Sequence, residues 1–381
     1  MKLIFGANGK LGTDFKELLD SIGEKYIASD KDEIDITNGD FLRAYVQTMH
    51  QNYKIDTIIN CAAYNYVDRA ETEKELCYKL NAEAPATLAN IAAEIGANYI
   101  TYSSDFVFNG LLTSYLYGDT TGYTEEDEPH PLSTYAKAKY EGELLVSQVM
   151  TNPEITSKMY IVRTSWVFGK ASMNFVDKII ELSKEKNELK VTDDQISSPT
   201  YSKDLAYYSW ELLKSSAENG IYHFTNDGIA SKYEEAKYIL DKISWQGNLI
   251  AVKREDLGLP AERPKFSKLS CKKIKEKLVK HYSVELEETK IKIFENGNEM
   301  VQGQISGCDT KDNSSMSVKS LRADFYVDDS KISFRVRPKT YKTIQGSTSG
   351  NLFGTGSLSD MEELVSLCEE IKGVVGEGEE E

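Results

Sequence analysis

Met1-Lys-Leu-Ile-Phe-Gly6-Ala-Asn-Gly9-Lys-Leu-Gly12 opens the chain and decides how its first half is read. Met1 to Phe5 is a short apolar strand, and Thr13 to Ile22 carries the spacing of an amphipathic helix. A strand, a glycine-rich turn and a helix in that order form the corner of a βαβ unit where a dinucleotide phosphate is held. Gly6 permits the tight turn, Gly9 lets the backbone approach a pyrophosphate, and Gly12 lets the helix pack closely on the strand. Asn8, Lys10 and Leu11 lie between these glycines and share the expected contact. The spacing is GxxGxxG, and such a turn taken alone is equally a structural loop.

Working outward, a second strand from Lys25 to Ser29 ends at Asp30, 18 residues after Gly12. An acidic side chain there can hydrogen-bond an adenosine ribose hydroxyl; its plainer reading is a solvated turn. Lys31 beside it suits a 2′-phosphate, which leaves NADH and NADPH both open. A third buried strand, Asp56 to Asn60, runs into Cys61-Ala62-Ala63-Tyr64, where small residues leave room for a ligand beyond the strand end. Segments 40–52 and 72–95 read as helices. The alternation predicts an α/β fold, a doubly wound parallel sheet of Rossmann type.

Composition narrows the function class. The 381 residues suggest roughly two to three domains, and 40% hydrophobic residues suffice for a sizeable core. The net charge of −16 argues against nucleic acid, which needs a basic surface, but leaves room for a small phosphorylated ligand. No apolar run is long enough to span a membrane, and the N-terminus has no cleavable leader pattern. A cytoplasmic location is therefore expected. Five cysteines form no CxxC pair, and four histidines show no ligand spacing, so no metal site is expected.

A fourth strand, Asn98 to Tyr102, delivers Ser103-Ser104-Asp105. Further on, Thr134-Tyr135-Ala-Lys137-Ala-Lys139 opens a helix running to about Val149. Tyr135 and Lys139 are four apart and share one helical face. A phenol is a weak acid at neutral pH, and a nearby ammonium favours its phenolate and can also hold a cofactor ribose. Ser104 can then orient a carbonyl while Tyr135 donates a proton to it. A tyrosine and a lysine at this spacing often occur by chance. Their order after a βαβ unit and a serine-ended strand is what makes them a catalytic candidate.

With these motifs in place, the sequence resembles the extended short-chain dehydrogenase/reductase family, and within it the dTDP-4-dehydrorhamnose reductase branch. Ser103 to Gly110 (SSDFVFNG) is similar to that branch's STDYVFDG, and Asn60 to Glu71 to its NAAAxTxVDxAE. Arg163 to Gly169 resembles RTSWVY, Asp194 to Thr200 resembles DQxGxPT, and Arg263 to Leu269 resembles RPxxSxL. The resemblance covers residues 1 to about 280. It implies that Ser104, Tyr135 and Lys139 are catalytic and that Gly6, Gly9, Gly12, Asp30, Ala62, Ala63 and Tyr64 line NADPH or NADH. It further implies that Val67, Asp68, Ser104, Asp105, Trp166, Gln195 and Arg263 face a nucleotide-sugar substrate whose 4-keto group is reduced. Each pocket residue also has a plain structural reading: a core aromatic for Trp166, a surface cation for Arg263, a turn for Gln195. Two departures stand out: a serine at 104 keeps the hydroxyl, whereas Phe106 lacks the family's tyrosine hydroxyl. The loop from Leu111 to Pro131 is expected to cover the site.

Two other functions fit parts of the pattern. An epimerase or dehydratase shares the Tyr/Lys pair, but a dehydratase also needs a glutamate after Asp105, where Phe106 stands. A non-catalytic, nucleotide-binding regulatory subunit would use the same scaffold. The first domain is expected over 1–288, with a small substrate lobe from about 165–205 and 225–285. A small α+β domain is expected over 289–372 and a disordered acidic tail over 373–381. In that second domain Thr289–Phe294, Ser320–Val327 and Lys331–Arg337 alternate like strands, Glu295–Asn298 reads as a hairpin turn, and Met361–Lys372 reads as a helix. Arg335, Arg337, Lys339 and Lys342 form a basic strip that reads as a solvated strand face or an anion site. A homodimer, and an unknown partner for this domain, are the assembly readings left open.

Overall fold

A computed structural model describes residues 1–111, 121–278, and the strands 281–287, 290–295, 298–304, 320–328 and 331–338. The chain divides into two compact units, Met1–Leu278 and Val279–Glu381.

The first unit is built on a six-stranded parallel sheet. It contains β1 (Lys2–Phe5), β2 (Tyr26–Ser29), β3 (Thr57–Asn60), β4 (Asn98–Ser104), β5 (Met159–Thr164) and the edge strand Gly220–His223. Their spatial order is edge strand, β5, β4, β3, β1, β2. Alternate residues of each strand feed opposite faces, as the pleat requires. Ile4, Ile59, Ile100 and Val162 pack under α1 (Lys10–Ser21) and the helix Ser202–Lys214. Leu3, Phe5, Ile58, Tyr99 and Ile161 pack against α2 (Gly39–Tyr53), α4 (Ala84–Ile95) and α5 (Thr134–Met150). Burial on both faces explains why these strands read as continuous apolar runs.

Register aligns the strand ends. Phe5 lies opposite both Ser29 and Asn60, Asn60 opposite Thr101, and Ser104 opposite Thr164. The carboxyl ends therefore form one rim, and the strand order reverses between β1 and β3, the position where open α/β sheets bind ligands. α1 begins at Lys10, inside the glycine motif rather than after it. The expected helix over 72–95 is broken into α3 (Lys74–Tyr78), a π-turn at Lys79–Glu83, and α4.

The small lobe has a core of its own. Ile179 and Leu189 pack with Ala236, Ile239 and Leu240, beneath a parallel pair formed by Glu188–Thr192 and Asn248–Val252. Two capping boxes start its helices, Asn174 with Asp177 and Ser231 with Glu234. Its bounds differ from the expected ones. The helix Ser202–Lys214, largely outside the expected lobe, packs on α1, whereas Ile274 of the last helix joins the main core although it falls within the expected 225–285.

The second unit shows five antiparallel strands among its described residues. Their order is Asn298–Gln304, Lys290–Glu295, His281–Glu287, Ser320–Asp328, Lys331–Pro338. Glu295 pairs with Asn298, the register of a two-residue hairpin. The strand His281–Glu287 pairs with both neighbours in this sheet, which puts the boundary at 278 rather than 288. The expected helix 361–372 and tail 373–381 lie outside the described residues, as do Lys339 and Lys342 of the basic strip. Among the described residues, no helix is long and apolar enough to cross a membrane.

One buried ion pair fastens α5 to the sheet. Arg163 of β5 donates to both Glu143 oxygens, at 2.9 and 2.7 Å, and both side chains are 2% exposed. Arg163→Met should therefore cost about 3–5 kcal/mol, because Glu143 is left buried and unpaired. The double change with Glu143→Leu should recover much of that loss. Urea unfolding of the three variants checks both; a harmless single change would mean that the pair does not hold the helix.

Candidate active site

The switch point comes first. Gly6 has φ of 70°, and a Cβ there would stand 2.6 Å from the Ala62 backbone nitrogen. The turn after β1 and the Cys61–Tyr64 segment after β3 thus touch backbone to backbone. A Cβ on Gly12 would stand 2.3 Å from the Gly6 carbonyl oxygen, so α1 starts close beneath the turn. Gly9 is the helix N-cap, and no side chain caps the first turn. Those free N–H groups suit an anion.

The other cofactor candidates are placed unevenly. Asp30 lies at the end of β2, where its carboxylate accepts from the Asn8 and Lys31 amides, at 2.8 Å each. Lys10 is half buried and near Asp177, and burial lowers its pKa. Leu11 faces the core, so it has only backbone to offer a ligand. Ala62 and Ala63 line the segment after β3. Tyr64 is 5% exposed, with its hydroxyl on Glu73 at 2.6 Å and its ring in a cluster with Cys77, Tyr135 and Ala138. That ring packs in the core beside the Tyr135 ring. Asn81 on the π-turn clamps the same segment, accepting from Tyr64 N at 3.0 Å and donating to Tyr64 O at 2.9 Å.

α5 carries the catalytic pair. Tyr135, Lys139 and Gly142 share one face, and a Cβ on Gly142 would stand 2.2 Å from the Asn81 carbonyl oxygen. Glu71 holds the start of the helix, accepting from Thr134 N at 2.8 Å and Thr134 Oγ1 at 2.7 Å. A carboxylate at this end also meets the positive end of the helix dipole. Lys139 Nζ donates to the Tyr102 carbonyl of β4 at 3.0 Å, and burial pulls its pKa down to about 8. Burial raises the Tyr135 phenol, partly countered by the Ser104 hydroxyl beside it. Lys139 is not among the groups that shift the phenol, so the expected lowering by its ammonium is not seen. Phe106 meets the Tyr135 ring edge to face at 6.2 Å, so the residue that departs from the family motif packs on the catalytic ring.

The substrate candidates fall into three groups. Asp68 and Arg263 meet each other in a bidentate pair at 2.6 and 3.0 Å, near Val67 and with Arg254 at 4.0 Å. Trp166 has φ of 45°, unusual for a bulky residue, and Lys232 Nζ sits 3.5 Å from its ring centroid. Gln195 Nε2 is buried with no hydrogen-bond partner among the described residues. Asp105 differs from the expectation. It is 1% exposed, and its oxygens accept from three serine hydroxyls, those of Ser104, Ser197 and Ser267. The expected covering loop cannot be followed through 112–120, which lie outside the described residues. Its later part is tied down, with Tyr123 stacked on Phe108 at 4.1 Å. The lobe also holds a cavity of about 680 Å³ lined by Phe168, Pro199, Tyr201, Ala230, Tyr238 and Ile239.

Residues 1–290 match the RmlD substrate binding domain family. The chain belongs to that family. The spore coat polysaccharide biosynthesis protein SpsK of Bacillus subtilis is 36% identical over 72% of this chain and 90% of its own length. The dTDP-4-dehydrorhamnose reductase of Aggregatibacter actinomycetemcomitans is 35% identical over 72% and 92%. The crystal structure of dTDP-4-dehydrorhamnose reductase from Bacillus anthracis in complex with NADP superposes with a TM-score of 0.64, at 36% identity over 72% and 92%. DesIV, a dTDP-glucose 4,6-dehydratase from Streptomyces venezuelae, shares the fold at 18% identity and a TM-score of 0.61. In this chain the Tyr135–Lys139 pair lies on the helix that packs beside β4.

A buried ammonium makes a test of stability. The folded chain binds the Lys139 proton less tightly than the unfolded chain does. The penalty is therefore fully present below pH about 8 and fades as pH rises toward the ordinary value of 10.5. Lys139→Met should stabilise the protein at neutral pH by on the order of 1–3 kcal/mol, with the gain vanishing at alkaline pH. Urea unfolding at the two pH values reads the difference; an equal gain at both would point to packing instead of charge.

Proposed function

We infer that the first unit reduces the 4-keto group of a nucleotide-activated deoxysugar, using NADPH or NADH. The observation that carries this reading is the placement of Ser104, Tyr135 and Lys139 beside the β1/β3 switch point, in a chain 36% identical to a dTDP-4-dehydrorhamnose reductase holding NADP. The uncapped start of α1, the close backbone approach at Gly6 and the Asp30 carboxylate fit a dinucleotide. When bound, the nicotinamide supplies a hydride to the carbonyl carbon.

The chain's own groups do the rest. Tyr135 carries its proton at neutral pH, as an ordinary phenol does, and burial holds it there, so the proton is available for the carbonyl oxygen as charge develops there. Lys139, still largely protonated near neutrality and one helical turn from Tyr135, is placed to hold the cofactor ribose. Ser104 offers a hydroxyl to the same carbonyl. Glu71 and Gly142 fix the helix that carries the acid, so donor placement precedes the reaction rather than following it. Val67, Trp166, Gln195 and the Asp68–Arg263 pair supply polar and aromatic contacts for the sugar nucleotide. Engagement of Asp105 by three serines supports a reductase over a dehydratase, which needs a free acid beside the serine. For the second unit we keep an interaction role, toward a second copy of the chain or another protein.

The test is oxidation of NADPH and of NADH, followed at the nicotinamide absorbance, with dTDP-4-dehydrorhamnose as substrate. Tyr135→Phe should lower kcat by about 10²–10⁴-fold while leaving cofactor affinity intact. Undiminished turnover in that variant would remove Tyr135 as the acid. Cofactor binding without turnover in the unaltered chain would favour a regulatory scaffold.

A further inference from the structure

Asp105 is a carboxylate held by three hydroxyls from three separate segments. Ser104 Oγ donates to Oδ1 at 3.1 Å. Ser197 Oγ and Ser267 Oγ donate to Oδ2 at 3.1 and 2.5 Å, and Ser197 shares its proton with the Ser267 carbonyl at 3.3 Å. Ser197 lies in the strand Ile196–Ser197 of the lobe, and Ser267 in the segment that the Ile196–Phe266 bridge ties beside it. At 1% exposure the group is not a surface charge.

A hydroxyl has one proton to give. While Asp105 is ionised, Ser104 gives that proton to Oδ1 and accepts from Phe106 N at 3.2 Å and from the Tyr135 phenol beside it. It then has nothing to donate to a carbonyl oxygen. A proton arriving on Asp105 goes to Oδ1, because Oδ2 already accepts two serine hydroxyls. The carboxyl then donates to Ser104 Oγ, and the serine's own proton is released toward the site. We propose that Asp105 is a positioning residue that decides, through its bond to Ser104, whether that serine's proton faces the substrate carbonyl, with Ser197 and Ser267 placing the deciding proton on Oδ1. The proposal rests on the reductase reading for its consequence in turnover, but its hydrogen-bond arrangement does not.

The charges around it are few. Lys232 faces Asp105 from the lobe helix Lys232–Lys242, and its own charge is shared with Glu235 at 2.8 Å. Tyr135 faces it from α5 as a neutral phenol. Burial outweighs Lys232 and the serines and lifts Asp105 to about 6, so both forms are populated near neutrality.

The experiment is a pH profile of kcat and KM for the unaltered chain and for Asp105→Asn, alongside a ¹³C carboxyl titration of Asp105. In the unaltered chain kcat should fall severalfold as pH rises through about 6. Asp105→Asn, neutral at every pH, should lose that inflection with little change in KM. Retention of the inflection, or a raised KM with unchanged kcat, overturns the proposal, the latter because it is the mark of a direct ligand. In the titration, Ser104→Ala removes a donor to the carboxylate and should raise the midpoint by on the order of one unit. An unmoved midpoint overturns the proposal whether or not any sugar nucleotide is reduced. Absence of turnover with a midpoint that does move would count against the reductase reading alone.

Discussion

A lysine ammonium buried without a carboxylate in contact is the constraint on which the rest of the first unit depends. Lys139 is 6% exposed, its nearest acceptor is a neutral carbonyl, and the nearest carboxylate influence is Glu143, one turn along the same helix. Such a charge persists only where the surrounding packing forces it. That packing is visible around α5. Gly142 lets the helix approach the π-turn, Glu71 holds its first turn, and Arg163 takes up Glu143 from the far side. Each of these contacts joins α5 to a different element, so the position of the ammonium is over-determined. The same contacts fix Tyr135, one turn before it.

The sheet explains why the chemistry gathers at one rim. Parallel strands in register end together, and every βα connection therefore leaves from the same side. β1 supplies the glycine turn, β3 the Cys61–Tyr64 segment, and β4 the serines. Their side chains converge because their strands do, not because they are near in sequence. The lobe closes the arrangement through Ser197 and Ser267, which reach Asp105 from 92 and 162 residues away.

Periodicity and turn chemistry made the local parts readable. The glycine spacing identified the first βα turn, alternating and apolar runs identified the strands, and a four-residue interval put Tyr135 and Lys139 on one face. In the second unit, alternation and an Asn-Gly turn predict strands over 289–294, 320–327 and 331–337, each within one residue of the strands 290–295, 320–328 and 331–338. His281–Glu287 falls within the 1–288 expected for the first domain, but it pairs in the second unit's sheet. Its alternation was the signal that could have placed it with the sheet. The π-turn at 79–83 had a weaker signal, an asparagine inside an apolar helical run. Asn81 stands there because its amide satisfies both backbone groups of Tyr64, a contact that no periodicity encodes.

What sequence could not supply was the direction of the polar side chains. Asp68 and Arg263 were anticipated as separate pocket residues, and the structure joins them in one ion pair. Two oppositely charged groups facing the same partly buried space lower their energy by meeting, and only a ligand with matching charge can compete. Asp105 follows the same logic with hydroxyls in place of a cation. A buried carboxylate recruits whatever donors the fold brings within reach, and here those donors include the serine that catalysis needs. The proton count at Ser104 is therefore set by the lobe as much as by β4. This ties the chemistry of one strand end to the packing of a lobe that no local pattern connects to it.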